Sequence, residues 1–337
     1  MAWTVGNFYL SQTQMDANAV EVYRYFSGQG WSLNAIAGIC GNMQSESTIN
    51  PGVWQSLKEG NNSGGFGLVQ WTPATNYTNW AKSNGYDIAD PTGQLYWIDK
   101  LSGSSGQWIA TSAYNMSWEA FKTSGETPEY LASAFLKNFE RAGVEVESDR
   151  RTNARYYYNL LSQYDTNSKA VESAVTWAVN IANDDSHGYD QNYRWGPDYD
   201  CSSFVITAYQ QAGITVKDAG ATYTGNMYNA FIKCGFQDVT SSVNLSTGDG
   251  VQRGDVLLNT VHHTAMSIGN GQVVNASQNE HGGATGGTTG DQTGKEIYVR
   301  SYYNYPWNYV LRLPGGGSGS GTGGTTTGIY IVRFIPA

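Results

Sequence analysis

The chain has 337 residues, 40% of them apolar, enough for two domains with separate cores and too apolar for a disordered chain. Its net charge of −9 argues against nucleic-acid phosphates or an anionic membrane surface as partners. There is no apolar stretch of about 20 residues that would span a bilayer, and Met1 to Val20 lacks the basic start and apolar core of a secretory signal. Charged residues are only 14%, while there are 24 Tyr and 11 Trp, a composition that suits clefts lined by aromatic rings. Cys40, Cys201 and Cys234 are an odd set, so a disulfide framework is not expected. Cys40 and Cys234 read as buried small residues.

In chain order, the first predicted helix runs from Asp16 to Phe26. The second, Ser32 to Ser45, is better marked: Ser32 can cap it, and Leu33, Ile36, Ala37, Cys40 and Met43 recur at helical spacing. Thr127 to Phe139 and Arg150 to Leu161 follow. The polar stretch 164–169 is expected to be a linker between a first domain, 1–163, and a second, 170–314. The second domain begins with helices at Lys169 to Ala182 and from Cys201 to near Gly213. Strand-like alternation then appears at Asp255 to Leu258, His263 to Ile268, Gln272 to Ala276, Glu296 to Arg300 and Tyr309 to Leu313. Two α+β domains are therefore expected, the first mainly helical, the second with an antiparallel sheet. Residues 315–337 read as a Gly/Ser/Thr linker ending in one strand, Ile329 to Ile335, which would need a partner edge to pair with.

The chemistry is carried first by Asp200-Cys201-Ser202-Ser203-Phe204-Val205, which places a thiol where a loop becomes a helix. A helix start and a neighbouring imidazole both favour the thiolate, the reactive form. His262 and His263 alternate across a strand, so only one of them can face the thiol. Asn275 supplies an amide that can fix the imidazole's tautomer. No His-Glu-x-x-His or paired Cys-x-x-Cys occurs, so no metal or other cofactor is expected, and His187 and His281 read as solvated.

These segments, with Tyr193-Arg194-Trp195-Gly196, Arg253-Gly254-Asp255-Val256-Leu257 and His263-Thr264-Ala265-Met266-Ser267-Ile268-Gly269-Asn270-Gly271, resemble the NlpC-type cell-wall peptidases, a papain-like family, over roughly residues 170 to 313. The resemblance implies Cys201 as nucleophile, His263 as base and Asn275 as orienter, with Tyr193 and Asp200 shaping the cleft. Members often carry His in the third place. Here Ser203 also stands where Gly is commoner, and Pro197 follows Gly196.

In the first domain, Glu46 lies near the end of the second predicted helix, where exposed carbonyls disfavour its charge. Packing by Phe66 or Trp71 would desolvate it further, and a carboxylic acid kept protonated can protonate a glycosidic oxygen. Glu46-Ser47 followed by Gly67-Leu68-Val69-Gln70-Trp71 resembles lysozyme-like domains, and with Phe139-Glu140-Arg141-Ala142-Gly143 it is similar to the lysozyme domain of phage tail lysins over roughly residues 10 to 163. That resemblance implies Glu46 as general acid and places Gln70 and Trp71 in the sugar cleft. Glycoside hydrolysis usually needs a second carboxylate, for which Asp87, Asp90, Glu59 and Glu140 stand as candidates. A lytic transglycosylase working through one acid is the other reading.

The expected function is a bifunctional peptidoglycan hydrolase carried on a phage tail tip, the C-terminal segment joining it to other tail proteins. The alternatives are a released endolysin, a conjugation-associated wall hydrolase, or a catalytically silent tail-tip protein that binds the wall.

Overall fold

The computed structural model describes residues 3–141 and 146–315. Two compact units emerge, one up to Ala170 together with Pro314, the other Val171–Leu313. The expected C-terminal strand, and Ala142 and Gly143 of the lysozyme-like motif, lie outside the described residues.

The first unit is helical: α1 Gln12–Gly28, α2 Leu33–Ser47, α3 Thr75–Ser83, α4 Pro91–Tyr96, α5 Trp118–Lys122, α6 Pro128–Phe135 and the first part of α7 Glu147–Ala182. Helix α2 is the central one. Ser32 caps it by accepting the Ala35 N–H at 3.1 Å, as its sequence position suggested. Most of α2 is buried, and two glycines let its neighbours approach closely. A Cβ at Gly41 would meet Arg150 O of α7 at 2.5 Å, and one at Gly38 would meet Ala132 N of α6 at 3.0 Å. Around α2 an aromatic cluster of Phe26, Trp31, Trp108, Trp118, Phe121, Phe135 and Phe139 fills the core. Rings of this size bury much apolar area per side chain and dominate the stability of such a unit.

Helix α7 differs from expectation. The polar residues 164–169 are helical, so the two predicted helices are one of 36 residues. Lys169 pairs with Asp165 at 2.7 Å and Gln163 donates to Asn167 Oδ1 at 2.8 Å, both at i,i+4 spacing, which supports the helix where no apolar stripe marks it.

The second unit contains the rest of α7, then α8 Cys201–Gln211 and α9 Thr224–Lys233, then β1 Gln237–Asp238, β2 Val256–Asn259, β3 His263–Gly269, β4 Gln272–Ala276, β5 Ile297–Ser301 and β6 Tyr309–Arg312. The strands form one antiparallel sheet in the order β1-β6-β2-β3-β4-β5. Helix α8 packs on β3 and β4, and α9 on β6 and β2. The protein is thus α+β, with a helical first part and an antiparallel sheet in the second, as its sequence pattern indicates. Among the described residues no helix is long and apolar enough to cross a membrane.

Candidate active sites

In the first unit, α2 ends at Ser47, and Thr48 turns left-handed at φ 55°. The buried Ser47 hydroxyl donates to Leu68 O at 2.8 Å, which ties the helix end to the glycine-rich stretch. Gln94 of α4 fixes that stretch from the other side: its Oε1 accepts the Leu68 N–H at 2.8 Å and its Nε2 donates to Pro51 O at 2.6 Å. Gly67 sits at φ +79°, and a Cβ there would lie 2.6 Å from Gln94 Oε1, so glycine is required by both conformation and space.

Glu46, Gln70 and Trp71 come together in one cleft of about 410 Å³, lined also by Gln107, Glu140 and Arg141. Gln70 faces it from a left-handed residue, φ 46°, and its amide donates to Val53 O and Gly67 O, each at 3.1 Å. Trp71 is buried, stacked on Tyr77 at 4.4 Å and edge-on to Trp97 at 5.4 Å. Phe66 packs on Trp54 at 4.5 Å and is not a lining residue.

Of the candidate second carboxylates, only Glu140 reaches the cleft. Asp90 instead caps α4 through the Thr92 N–H, Asp87 accepts the Ala89 N–H, and Glu59 is exposed. Glu140 ends a π-helical turn, Leu136–Glu140, a local irregularity that often marks functional positions. Its carboxyl is pushed well above the usual range, first by burial and then by the charge of Glu46, while Arg150 and Arg141 pull the other way.

Glu46 is not left against bare helix carbonyls. Arg150 Nη2 donates to Glu46 Oε1 at 2.5 Å, and Arg150 Nη1 donates to Asn42 Oδ1 at 3.0 Å. Arg150 is 7% exposed and stands with Ala154, Tyr157 and Leu161 on the buried stripe of α7. A charged residue on an apolar helical stripe is the signal that marks it, although the sequence reading passed over it.

In the second unit, Cys201 is the first residue of α8 and 5% exposed. Asp200 is the cap: its Oδ1 accepts the Ser203 N–H at 2.7 Å and the Ser202 hydroxyl at 2.8 Å, and its Oδ2 lies 2.9 Å from Arg194 Nε. Asp200 is buried and occupied by these partners, so it shapes the helix start instead of offering a surface to substrate. Tyr193, by contrast, is 67% exposed.

Strand β3 pairs with β2 along its first half but with β4 only from Met266 onward. In that splay the backbone N–H of Thr264 is near enough to favour the Cys201 thiolate, and α8 packs on β3, which brings the thiol to the start of the strand that carries His263. The pair Ser267↔Val273 shows that His263, Ala265 and Ser267 share a sheet face with Val273 and Asn275. His263 lies under Tyr305 and Trp307, with ring centres 5.6 and 6.0 Å away. Asn275 is 1% exposed, and its Oδ1 has no hydrogen-bond partner among the described residues.

Burial overrides the helix-start effect expected from sequence. It pushes the Cys201 thiol up to about 12, the Asp200 charge adding to it, against the backbone N–H groups of Thr264 and Ser202. Burial likewise lowers His263 to about 4, with Arg300 contributing. The site therefore rests as neutral thiol and neutral imidazole.

A group of buried carboxylates braces the loop beside this site. Asp198 Oδ1 accepts the N–H of Gly188 and Gly290, and Asp190 Oδ2 accepts those of Gly286 and Gly287. Glu296 accepts from Tyr189 and Gln292. Among the described residues no group of three or more His, Cys, Asp or Glu is placed to hold a metal ion. His187 is partly buried and not solvated as expected: Nδ1 lies 2.6 Å from Pro197 O. His281 is exposed next to Glu280. Cys40, Cys201 and Cys234 are all free.

Comparison with known proteins finds a family match in each unit. Residues 17–161 match the phage tail lysozyme family, and residues 196–274 and 273–316 match the endolysin-like domain family. The chain resembles a phage lysin in both units. A relative, "Morphogenesis protein 1" of Bacillus phage B103, is 45% identical over 156 residues, 46% of this chain and 42% of that protein. The lysin-like chain thus matches less than half the length of that relative. A solved structure of a protein described as similar to lipoprotein, NLP/P60 family, from Staphylococcus aureus covers 89% of this chain and all of that one, at 14% identity and a TM-score of 0.23.

Proposed function

We propose that the protein is a bifunctional peptidoglycan hydrolase: the first unit cuts glycan strands and the second cuts stem peptides. The observation that carries this reading is the pairing, in one chain, of a two-carboxylate cleft at Glu46 and Glu140 with a helix-start thiol at Cys201 beside His263. The two substrates are parts of one polymer, so linking the units keeps each at high effective concentration near the other's target. In the glycan cleft, Gln70 and Trp71 hold the sugar, and the carboxylate pair supplies acid and base.

In the peptide site, His263 takes the Cys201 proton as the sulfur attacks the stem carbonyl, then gives it to the leaving amine; water releases the acyl group. Because the thiol rests protonated, that transfer belongs to the substrate complex. Asn275 holds the imidazole, and the exposed Tyr193 contacts the stem. Digestion of purified walls tests the reading. Cys201→Ala should abolish new amino termini only, and Glu46→Gln new reducing ends or anhydro-sugars only, as read by mass spectrometry. Identical products from parent and variants would sink it, and would favour a silent wall-binding protein.

Delivery on a phage tail is supported by the tail lysozyme match in the first unit. The endolysin-like match in the second favours release at lysis as the alternative. Mass spectrometry of purified virions separates the two: absence of the chain from particles rules out the tail.

A further inference from the structure

We propose that Arg300 reads a carboxylate of the stem peptide close to the bond that Cys201 cuts, and so sets which stem peptides the second unit opens. The proposal rests on the reading of Cys201 and His263 as a peptide-cutting site, and adds to it a residue that selects the substrate.

Arg300 lies on β5 opposite Val273 of β4, and Val273 lies opposite Ser267 of β3. Residues paired in this way project from one face of the sheet, so Arg300 shares the face of His263. Tyr303, Tyr305 and Trp307 pack on that face against Ala265 and Val273. The Arg300 guanidinium sits 4.0 Å from the centre of the Tyr303 ring, and its Nη1 donates to Tyr298 Oη at 3.1 Å. Tyr303 in turn packs on Tyr305 and Trp307, the two rings that cover His263. Arg300 and Cys201 both lie within electrostatic reach of the Tyr303 hydroxyl, and Arg300 within reach of His263.

What this guanidinium lacks is an anion. In the second unit Arg194 closes on Asp200 at 2.9 Å, Arg253 on Glu172 at 2.9 Å and Arg312 on Asp255 at 2.6 Å. Arg300 has no carboxylate partner among the described residues, and the bond to Tyr298 leaves most of its N–H donors unused. The residue is half-buried. A ring beneath the guanidinium holds its plane and leaves the edge of the fork for a bidentate acceptor. An arginine fixed in this way takes a carboxylate well and a neutral amide poorly.

Stem peptides carry that chemistry. Their glutamyl residue is linked through its γ-carboxyl and leaves its α-carboxyl free; a diamino acid or the terminal residue leaves another. Amidation of such a group removes the charge and keeps the shape. Arg300 separates the two forms, because an amide opposite the guanidinium loses the charged hydrogen bonds and presents an N–H donor to donors.

The test uses the full chain and a synthetic stem peptide in three forms: all carboxyls free, only the glutamyl α-carboxyl amidated, and only the other carboxyls amidated. One of the two amidations should lower the parent's kcat/KM about 10-fold or more, mainly through KM, as loss of a charged hydrogen bond does. Which one does so identifies the group. Arg300→Gln should lose a like amount on the free peptide and cut the three forms alike, while Arg300→Lys should keep part of the preference. A parent that cuts all three forms equally overturns the assignment. So does an Arg300→Gln chain that is slower on every form yet keeps the preference, the pattern of an arginine that only braces Tyr303. Calorimetric binding of the same peptides to Cys201→Ala reads the discrimination without turnover, and binding that ignores amidation counts against Arg300. A parent that binds the free form more tightly but releases no new amino termini overturns instead the reading of Cys201 and His263 as a peptide-cutting site.

Discussion

Arg150 of α7 reaches across to Glu46 of α2 and closes a 2.5 Å ion pair on the wall of the cleft that also holds Glu140. The pair joins residues 104 positions apart, and neither helix alone announces it.

Removing one partner of a buried ion pair leaves an uncompensated charge, which typically costs about 3 kcal/mol or more. Arg150→Met should destabilise the first unit by that order, measured by urea unfolding. The double variant Arg150→Met/Glu46→Gln should recover most of the loss. Arg150 also lowers Glu140's titration, so Arg150→Met should move it still higher.

The two activities should part on the pH axis. Peptide cleavage needs His263 neutral, and burial keeps it neutral down to about 4, so kcat/KM should not fall on the acid side until pH nears that value, while loss of the Cys201 proton yields the thiolate nucleophile and sets no early alkaline limb. Glycan cleavage needs a protonated carboxyl and should fade on the alkaline side first. Product release from walls, followed separately as amino termini and reducing ends across pH, checks this. Coincident alkaline limbs would contradict it.

His263 also links pH to stability. Folded, it stays neutral down to about 4, whereas the unfolded side chain takes a proton near 6.5. Between those values the unfolded chain binds more protons, so its contribution to stability is lost as pH falls through that window. His263→Gln should flatten this part of the stability curve. Denaturation midpoints at several pH values for parent and variant give the answer.

Asn275, the proposed orienter of His263, carries a structural cost. Its buried Oδ1 has no partner among the described residues, a situation that costs about 1–3 kcal/mol. Asn275→Leu should raise the unfolding free energy of the second unit by about 1 kcal/mol. If Asn275 takes up the imidazole only once substrate is bound, peptide cleavage should also fall at least ~10-fold. A variant that is both more stable and fully active would remove Asn275 from the site.

The strands of the second unit were legible because their alternation is clean: β2 to β6 fall within a residue or two of the expected spans. The helix at Cys201 was expected where the loop turns, and the structure adds its cap, Asp200. Helix α9 was missed, as were α3, α4 and α5, which are 5 to 9 residues long, too short for periodicity to show. The continuity of α7 was hidden by polar residues whose i,i+4 pairing replaces an apolar stripe. In the sites, Cys201 and His263 could be singled out by type and order, and Glu46 and Trp71 by the family resemblance of their segments. Arg150, and the selection of Glu140 from four carboxylates, depend on long-range packing that spacing does not encode.

The loop beside Cys201 is held by Asp190, Asp198 and Glu296 through backbone N–H groups of Gly188, Tyr189, Gly286, Gly287, Gly290 and Gln292. Such bonds are blind to side-chain identity. Exposed rim residues such as Thr285, Thr288 and Thr289 can therefore be exchanged wholesale while the frame stays put. The arrangement works like a fixed chuck with replaceable jaws: the exposed side chains of this loop can change without a new scaffold.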